Sequence, residues 1–253
     1  MKLFFRKYGE GKPVIILHGL FGQSDNWTSI ARNLSEHGFS VLTVDLRNHG
    51  HSGHSEDFSY QVMAEDLYEL VNDESIEKPV LAGHSLGAKV ILWFEYLFPG
   101  FTSSLIPVDM AMRKYEPHHT NVLKGLNAVP LHEIKTRQEA DRILSEYIPD
   151  AAVRQFLLKN LHRSDVHSEQ LQWRFNLKTI TEKYHFILEP VPEFHSDTPV
   201  FLIYGKNSSY VNEKDLHQYQ QCFPNFSSRC VEDAGHWVHA DQPAIFLQVL
   251  LEY

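Results

Sequence analysis

Gly83-His84-Ser85-Leu86-Gly87 follows the extended apolar run Pro79-Val80-Leu81-Ala82 and precedes a helix-like stretch over 88–98. A strand, a serine bracketed by glycines and a helix together make a nucleophile elbow. The glycines are needed because the turn is tight and the serine backbone is strained, so neighbouring side chains must be absent. The turn lifts the hydroxyl clear of a sheet, over the N-terminus of the next helix. It also aims the Leu86 N–H at the place where an oxyanion would form.

Working outward, extended and helical runs alternate. Val14-Ile15-Ile16-Leu17-His18 and Ser40-Val41-Leu42-Thr43-Val44-Asp45 read as strands, as does Ser104-Leu105-Ile106-Pro107-Val108-Asp109. Trp27, Ile30, Ala31 and Leu34 recur at helical spacing within 24–37, and Val62, Met63, Leu67, Leu70 and Val71 do so within 60–71. Unbroken apolar strands separated by helices imply an α/β fold with a mostly parallel central sheet covered on both faces. The pattern changes over 114–196, where helical segments (122–129, 137–147, 151–161) are punctuated by prolines. Strand–helix order returns at Pro199-Val200-Phe201-Leu202-Ile203-Tyr204-Gly205. The expected organisation is a core of residues 1–113 and 197–253, with a helical cap of residues 114–196. The cap enters after the strand ending at Asp109 and lies over the sheet edge where open α/β sheets bind ligands.

A serine hydroxyl is a weak nucleophile at neutral pH. It needs a base, and the base needs an orienting acid. In this arrangement the chain order is Ser, acid, His. Gly235-His236-Trp237 lies on a late loop after the last strand, which makes His236 the expected base; His239 is the near competitor. The usual position for the acid is the turn after Tyr204-Gly205, but Lys206-Asn207-Ser208-Ser209-Tyr210-Val211 carries no carboxylate. Asp109, at the end of the preceding core strand, is the alternative. Ser208 would then stand near the acid and could hydrogen-bond it or the histidine. His18-Gly19-Leu20-Phe21-Gly22 supplies a second oxyanion donor, the Leu20 N–H. Trp173 and Phe175 are candidates for an acyl pocket or for packing of cap on core. Arg174 is a candidate contact for an anionic substrate.

The bulk properties narrow the class. The chain has 253 residues, 43% of them hydrophobic, which is ample for a buried core. A formal net charge of −9 and no basic face argue against nucleic acid. No apolar run approaches about 18 residues, so no membrane span is expected. Two cysteines, Cys222 and Cys230, are too few for a disulfide framework and suit a reduced, cytoplasmic setting. Oligomeric state is not legible.

Several stretches resemble one known group. Phe21-Gly22 with Asp25-Asn26, the loop of Arg47-Asn48-His49-Gly50, Gly83-His84-Ser85 and Gly235-His236-Trp237-Val238-His239-Ala240 look like the bacterial YbfF esterases. These are a branch of the α/β-hydrolases with relatives among mitochondrial abhydrolase-domain proteins. Gln155-Phe156-Leu157-Leu158-Lys159, Trp173-Arg174-Phe175-Asn176 and Gly205 with Asn207-Ser208 and Tyr210-Val211 are similar to family segments as well. The resemblance implies an α/β-hydrolase fold with a helical cap, Ser85, Asp109 and His236 as catalytic residues, and Ser208 in support. It also implies activity on acyl esters, with acyl-CoA thioesters as a further substrate class; the Ser-His-Asp chemistry itself needs no metal or organic cofactor. Leu86 and Ala88 stand where Met and Gly are common in the family. Met110-Ala111-Met112-Arg113-Lys114-Tyr115 departs from its usual stretch, and 161–172 reads as longer.

Two other readings remain at this point. One is carbon–carbon bond hydrolysis or lyase chemistry on the same fold. The other is a binding protein that keeps the fold without catalysis, for which the missing carboxylate near Ser208 is the one hint.

Overall fold

The computed structural model describes residues 1–163 and 170–252. The strands of the central sheet are β1 (Phe5–Tyr8), β2 (Lys12–Leu17), β3 (Phe39–Val44), β4 (Val80–His84) and β5 (Ser104–Val108), joined after the insertion by two more. The helices α1 (Thr28–Glu36), α2 (Tyr60–Asp73) and α3 (Leu86–Leu97) cover it. The insertion contributes α4 (Thr120–Ala128), α5 (Arg137–Leu144), α6 (Ala151–Leu158), a hairpin of β6 (Leu161–Arg163) and β7 (Leu171–Trp173), and α7 (Leu177–Glu182). The sheet resumes with β8 (Val200–Gly205), α8 (Glu213–Cys222) and β9 (Phe226–Val231). Helices α9 (Val238–Asp241) and α10 (Pro243–Glu252) follow.

The strand order is β1-β3-β2-β4-β5-β8-β9, and every neighbouring pair is parallel except β1 with β3. Alternation of side chains along each strand makes two cores. Ile15, Leu17, Leu81, Leu105 and Leu202 face α2, α3 and the insertion. Val14, Ile16, Ala82, Ile106 and Ile203 face α1 and α10. Helix α2 starts where the Ser59 hydroxyl accepts from the Val62 N–H. It buries Met63, Ala64, Leu67, Leu70 and Val71 along one stripe, each large apolar side chain contributing about 1.5–3 kcal/mol. Helix α3 is buried on most of its circumference, because the sheet lies on one side and other helices on the other.

Two elements differ from the sequence reading. The short edge strand β1 carries Arg6 and Lys7 and has no clean alternation. The insertion is not wholly helical, since β6 and β7 pair antiparallel. The longer stretch read at 161–172 falls partly outside the described residues.

Candidate active site

The elbow is built by close packing. Ser85 has φ 52° and ψ −112°, a conformation rarely adopted by an L-residue. A Cβ on Gly83 would meet the Gly87 carbonyl oxygen at 2.3 Å, and one on Gly87 would meet Leu17 Cβ and its carbonyl oxygen at 2.7 Å. These contacts with fixed backbone explain both glycines.

At the neighbouring strand end Asp109 is fully buried with φ 48°. Because β8 lies next to β5, the carboxylate reaches the turn that follows β8. Asp109 Oδ1 accepts from the Gly205 N–H at 3.0 Å. Oδ2 accepts from the Ser208 hydroxyl at 2.5 Å and pairs with His236 Nδ1 at 2.7 Å. A neutral imidazole must then carry its proton on Nδ1, which leaves Nε2 free to accept. No hydrogen bond joins Ser85 to His236 in this structure; such bonds commonly tighten only when substrate is bound. His84, beside Ser85, donates from Nε2 to the His236 carbonyl at 2.8 Å and so fixes that loop against the elbow. Tyr210 stacks on the His236 ring with centroids 3.6 Å apart.

Burial governs the titration of this pair. It pushes His236 well below the ordinary histidine range, and the neighbouring His118 adds to that effect. It pushes the Asp109 carboxyl up, while the Ser208 and Gly205 donors act in the opposite direction. His236 is therefore held neutral at physiological pH.

Two backbone N–H groups border the same crevice. Neither the Leu20 nor the Leu86 N–H finds an acceptor among the described residues. The loop carrying Leu20 is braced by two buried histidines. His18 Nε2 accepts from the Leu46 N–H, which puts its proton on Nδ1, facing the Gly19 carbonyl at 2.8 Å. His49 Nε2 accepts from the Phe21 N–H at 3.2 Å. The 45–52 loop is itself held by Asp45 and by the Arg47–Asp66 ion pair at 2.6 Å, so its polar residues support the loops rather than face the crevice.

The crevice holding Ser85 is narrow, and its interior admits about one water molecule. Leu20, Leu86 and Met110 line it from the core; Tyr115, His118, Tyr184 and Leu188 line it from the insertion side. Trp173 and Phe175 do not line it. Trp173 borders a separate, open hollow of about 450 Å³ within the insertion, which touches neither Ser85 nor His236. Phe175 packs on Phe21 with ring centroids 5.0 Å apart, and Arg174 meets His51 at 3.2 Å. Phe175 and Arg174 thus join insertion to core, and Trp173 stacks on Phe175. The groups that line it, not its size, make the smaller cavity the candidate site.

Sequence reasoning missed Tyr210, His84 and the insertion residues of the crevice. Only their positions next to Ser208 and Ser85 pointed toward the first two.

The family model described as alpha/beta hydrolase fold matches residues 12–119. The chain is 34% identical to esterase YbfF of Escherichia coli, over 95% of this chain and 92% of that protein. The chain belongs to the YbfF esterase branch of the α/β-hydrolases. It is likewise 34% identical to the sn-1-specific diacylglycerol lipase ABHD11 of Danio rerio, over 97% of this chain and 79% of that one. A solved marine microorganism esterase superposes with a TM-score of 0.96 at 38% identity, over 100% of this chain and 99% of that chain. Membership in this branch makes the protein a hydrolase of the carboxylesterase type. No helix among the described residues is long and apolar enough to cross a membrane.

Proposed function

We propose that the protein hydrolyses small acyl esters, and acyl thioesters by the same route, through an acyl-enzyme on Ser85. The observation that carries this reading is the carboxylate of Asp109 held at 2.7 Å from His236 Nδ1, which leaves Nε2 as the base beside the elbow serine. Ser85 Oγ attacks the acyl carbonyl while His236 Nε2 takes its proton. The carbonyl electron pair moves onto oxygen, where the Leu20 and Leu86 N–H groups receive it; one such donor is worth about 3 kcal/mol in the barrier. His236 then protonates the departing alcohol or thiol. Water, deprotonated by the same nitrogen, attacks the acyl-serine and releases the acid. Asp109 holds the tautomer and stabilises the imidazolium without taking its proton. Ser208 supports Asp109. Residues 114–196 act as the cap that shields these steps from bulk water. The free cysteines Cys222 and Cys230 suit a reduced compartment such as the cytoplasm.

The test is hydrolysis of p-nitrophenyl esters from acetate to palmitate, with thiol release from acyl-CoA followed in parallel. The expected result is turnover by the wild type that is lost in Ser85→Ala. Equal activity in the two proteins would refute the assignment. Hydrolysis of thioesters but not esters would narrow the substrate class.

A further inference from the structure

Lys89 stands one helical turn after Ser85 on α3 and has no exposed surface. Its ammonium meets no carboxylate at salt-bridge distance among the described residues. Instead Nζ donates to two backbone carbonyls, those of Arg113 at 2.8 Å and Glu189 at 2.6 Å. These residues belong to the two passages between sheet and insertion, one leaving β5 and one returning toward β8. The passages also pair with each other: the Tyr115 N–H donates to the Leu188 carbonyl at 2.9 Å, and the Val191 N–H to the Met112 carbonyl at 2.7 Å. One buried side chain thus ties both passages to the helix that carries the elbow.

The same ammonium lies over the rings of Tyr115 and Tyr60, 4.9 and 5.5 Å from their centroids. Both rings line the Ser85 crevice. Tyr60 adds a second tie, donating from its hydroxyl to the Ile187 carbonyl at 2.6 Å. Keeping an ammonium here is costly. Burial, with Arg113 nearby, lowers its pKa to about 7, and the Glu189 carboxylate only partly opposes this. An apolar side chain of similar volume often packs such a site at least as stably. What an apolar chain cannot do is hold two carbonyls on two different segments at once.

We infer that Lys89 is a specificity-determining positioning residue: by bolting both cap passages to the nucleophile helix it holds Tyr60 and Tyr115 against the crevice and limits the enzyme to short acyl groups. The inference rests on the ester hydrolysis proposed above. With room for about one water in its interior, the closed crevice is narrow, so an acyl group enters only as the passages part, and a long chain such as octanoyl needs them to part further than an acetyl group does.

The experiment compares kcat/KM for p-nitrophenyl acetate, butyrate and octanoate in wild type, Lys89→Met and Tyr60→Phe, with melting temperatures measured alongside. The expected octanoate-to-acetate ratio is below about 0.1 in the wild type. Lys89→Met raises that ratio at least about tenfold, chiefly through a lower octanoate KM. Tyr60→Phe, which removes only the Ile187 tie, raises it about threefold. A merely structural lysine would lower the melting temperature and leave the ratio alone. An unchanged ratio in folded Lys89→Met overturns the inference, as does a wild type that already prefers octanoate. If Lys89→Met does not fold, an unchanged ratio in Tyr60→Phe overturns it equally. Absence of hydrolysis at every chain length would overturn the esterase reading, and this inference with it.

Discussion

Replacing Asp109 by Asn tests the site at its most constrained atom. Asparagine keeps the shape and tolerates the positive φ of 48° at this position, so the backbone is not disturbed. It exchanges one acceptor oxygen for a donor, in a group that now accepts three hydrogen bonds. If the amide oxygen faces Gly205, the NH2 faces Ser208 and His236. The Ser208 hydroxyl can rotate to accept, but His236 can accept only by moving its proton to Nε2, which then cannot take the Ser85 proton. If the amide turns over, its NH2 opposes the Gly205 N–H, and buried donors face each other at about 1–3 kcal/mol each. The first orientation wins by about 2 kcal/mol, which leaves the active tautomer at a few per cent. The imidazolium also loses its negative partner. Together these effects reduce kcat by about 10³–10⁴-fold, or about 4–5.5 kcal/mol in the barrier. The assay is steady-state turnover of p-nitrophenyl acetate, with near-ultraviolet circular dichroism to verify the fold. A folded Asp109→Asn protein within tenfold of wild type would refute the assignment of Asp109 as the orienting acid.

Three further outcomes follow from the same geometry. Ser208→Ala removes the 2.5 Å donor to Asp109 and should lower kcat about tenfold with KM little changed, the equivalent of one hydrogen bond; an unaltered kcat would assign Ser208 to the turn alone. Gly83→Ala places a Cβ 2.3 Å from the Gly87 carbonyl oxygen, a backbone atom with no room to yield. It should cost about 3 kcal/mol of stability and abolish labelling of Ser85 by a fluorophosphonate, and normal labelling would show that the elbow can relax. Acid should destabilise the fold through His18, His49 and His84, which are buried and held well below the ordinary histidine pKa chiefly by desolvation. Their folded pKa values are depressed, so stability is complete above about 6.5. It falls as pH drops and the unfolded chain binds protons the folded chain refuses, down to about 4 for His18 and about 3 for His49. His119, His236 and His239 are lowered in the same way. Each of the six histidines loses about 1 kcal/mol of stability between pH 7.5 and 5.5, which outweighs what the raised Asp109 and the lowered Lys89 return, so the fold is less stable at pH 5.5. Urea unfolding at both pH values measures it, and equal stability at the two would contradict the burial argument.

The elbow was legible because its cause is local. Gly83, Ser85 and Gly87 lie within one turn, and the steric demand that selects them acts over a few residues. The parallel sheet was legible for a similar reason, since strands covered on both faces must be apolar throughout. His236 could be placed from chain order alone. The insertion was visible as a loss of strand signal, but its hairpin was not, because three-residue strands leave no period to read. Edge strand β1 escaped notice because Arg6 and Lys7 obscure its alternation. The sequence by itself therefore determined the fold class and the strained serine, and pointed to His236 as the candidate base. Tertiary structure decided the contacts that depend on which strands are neighbours. Asp109 reaches Ser208 and Gly205 because β5 lies against β8 across 91 intervening residues of chain, and no local pattern encodes that adjacency. It also decided that Tyr210 covers His236, that Trp173 and Phe175 lie away from Ser85, and that Lys89 binds both passages of the insertion. Each of these is a meeting of side chains far apart in sequence, fixed by packing and not by the neighbours along the chain.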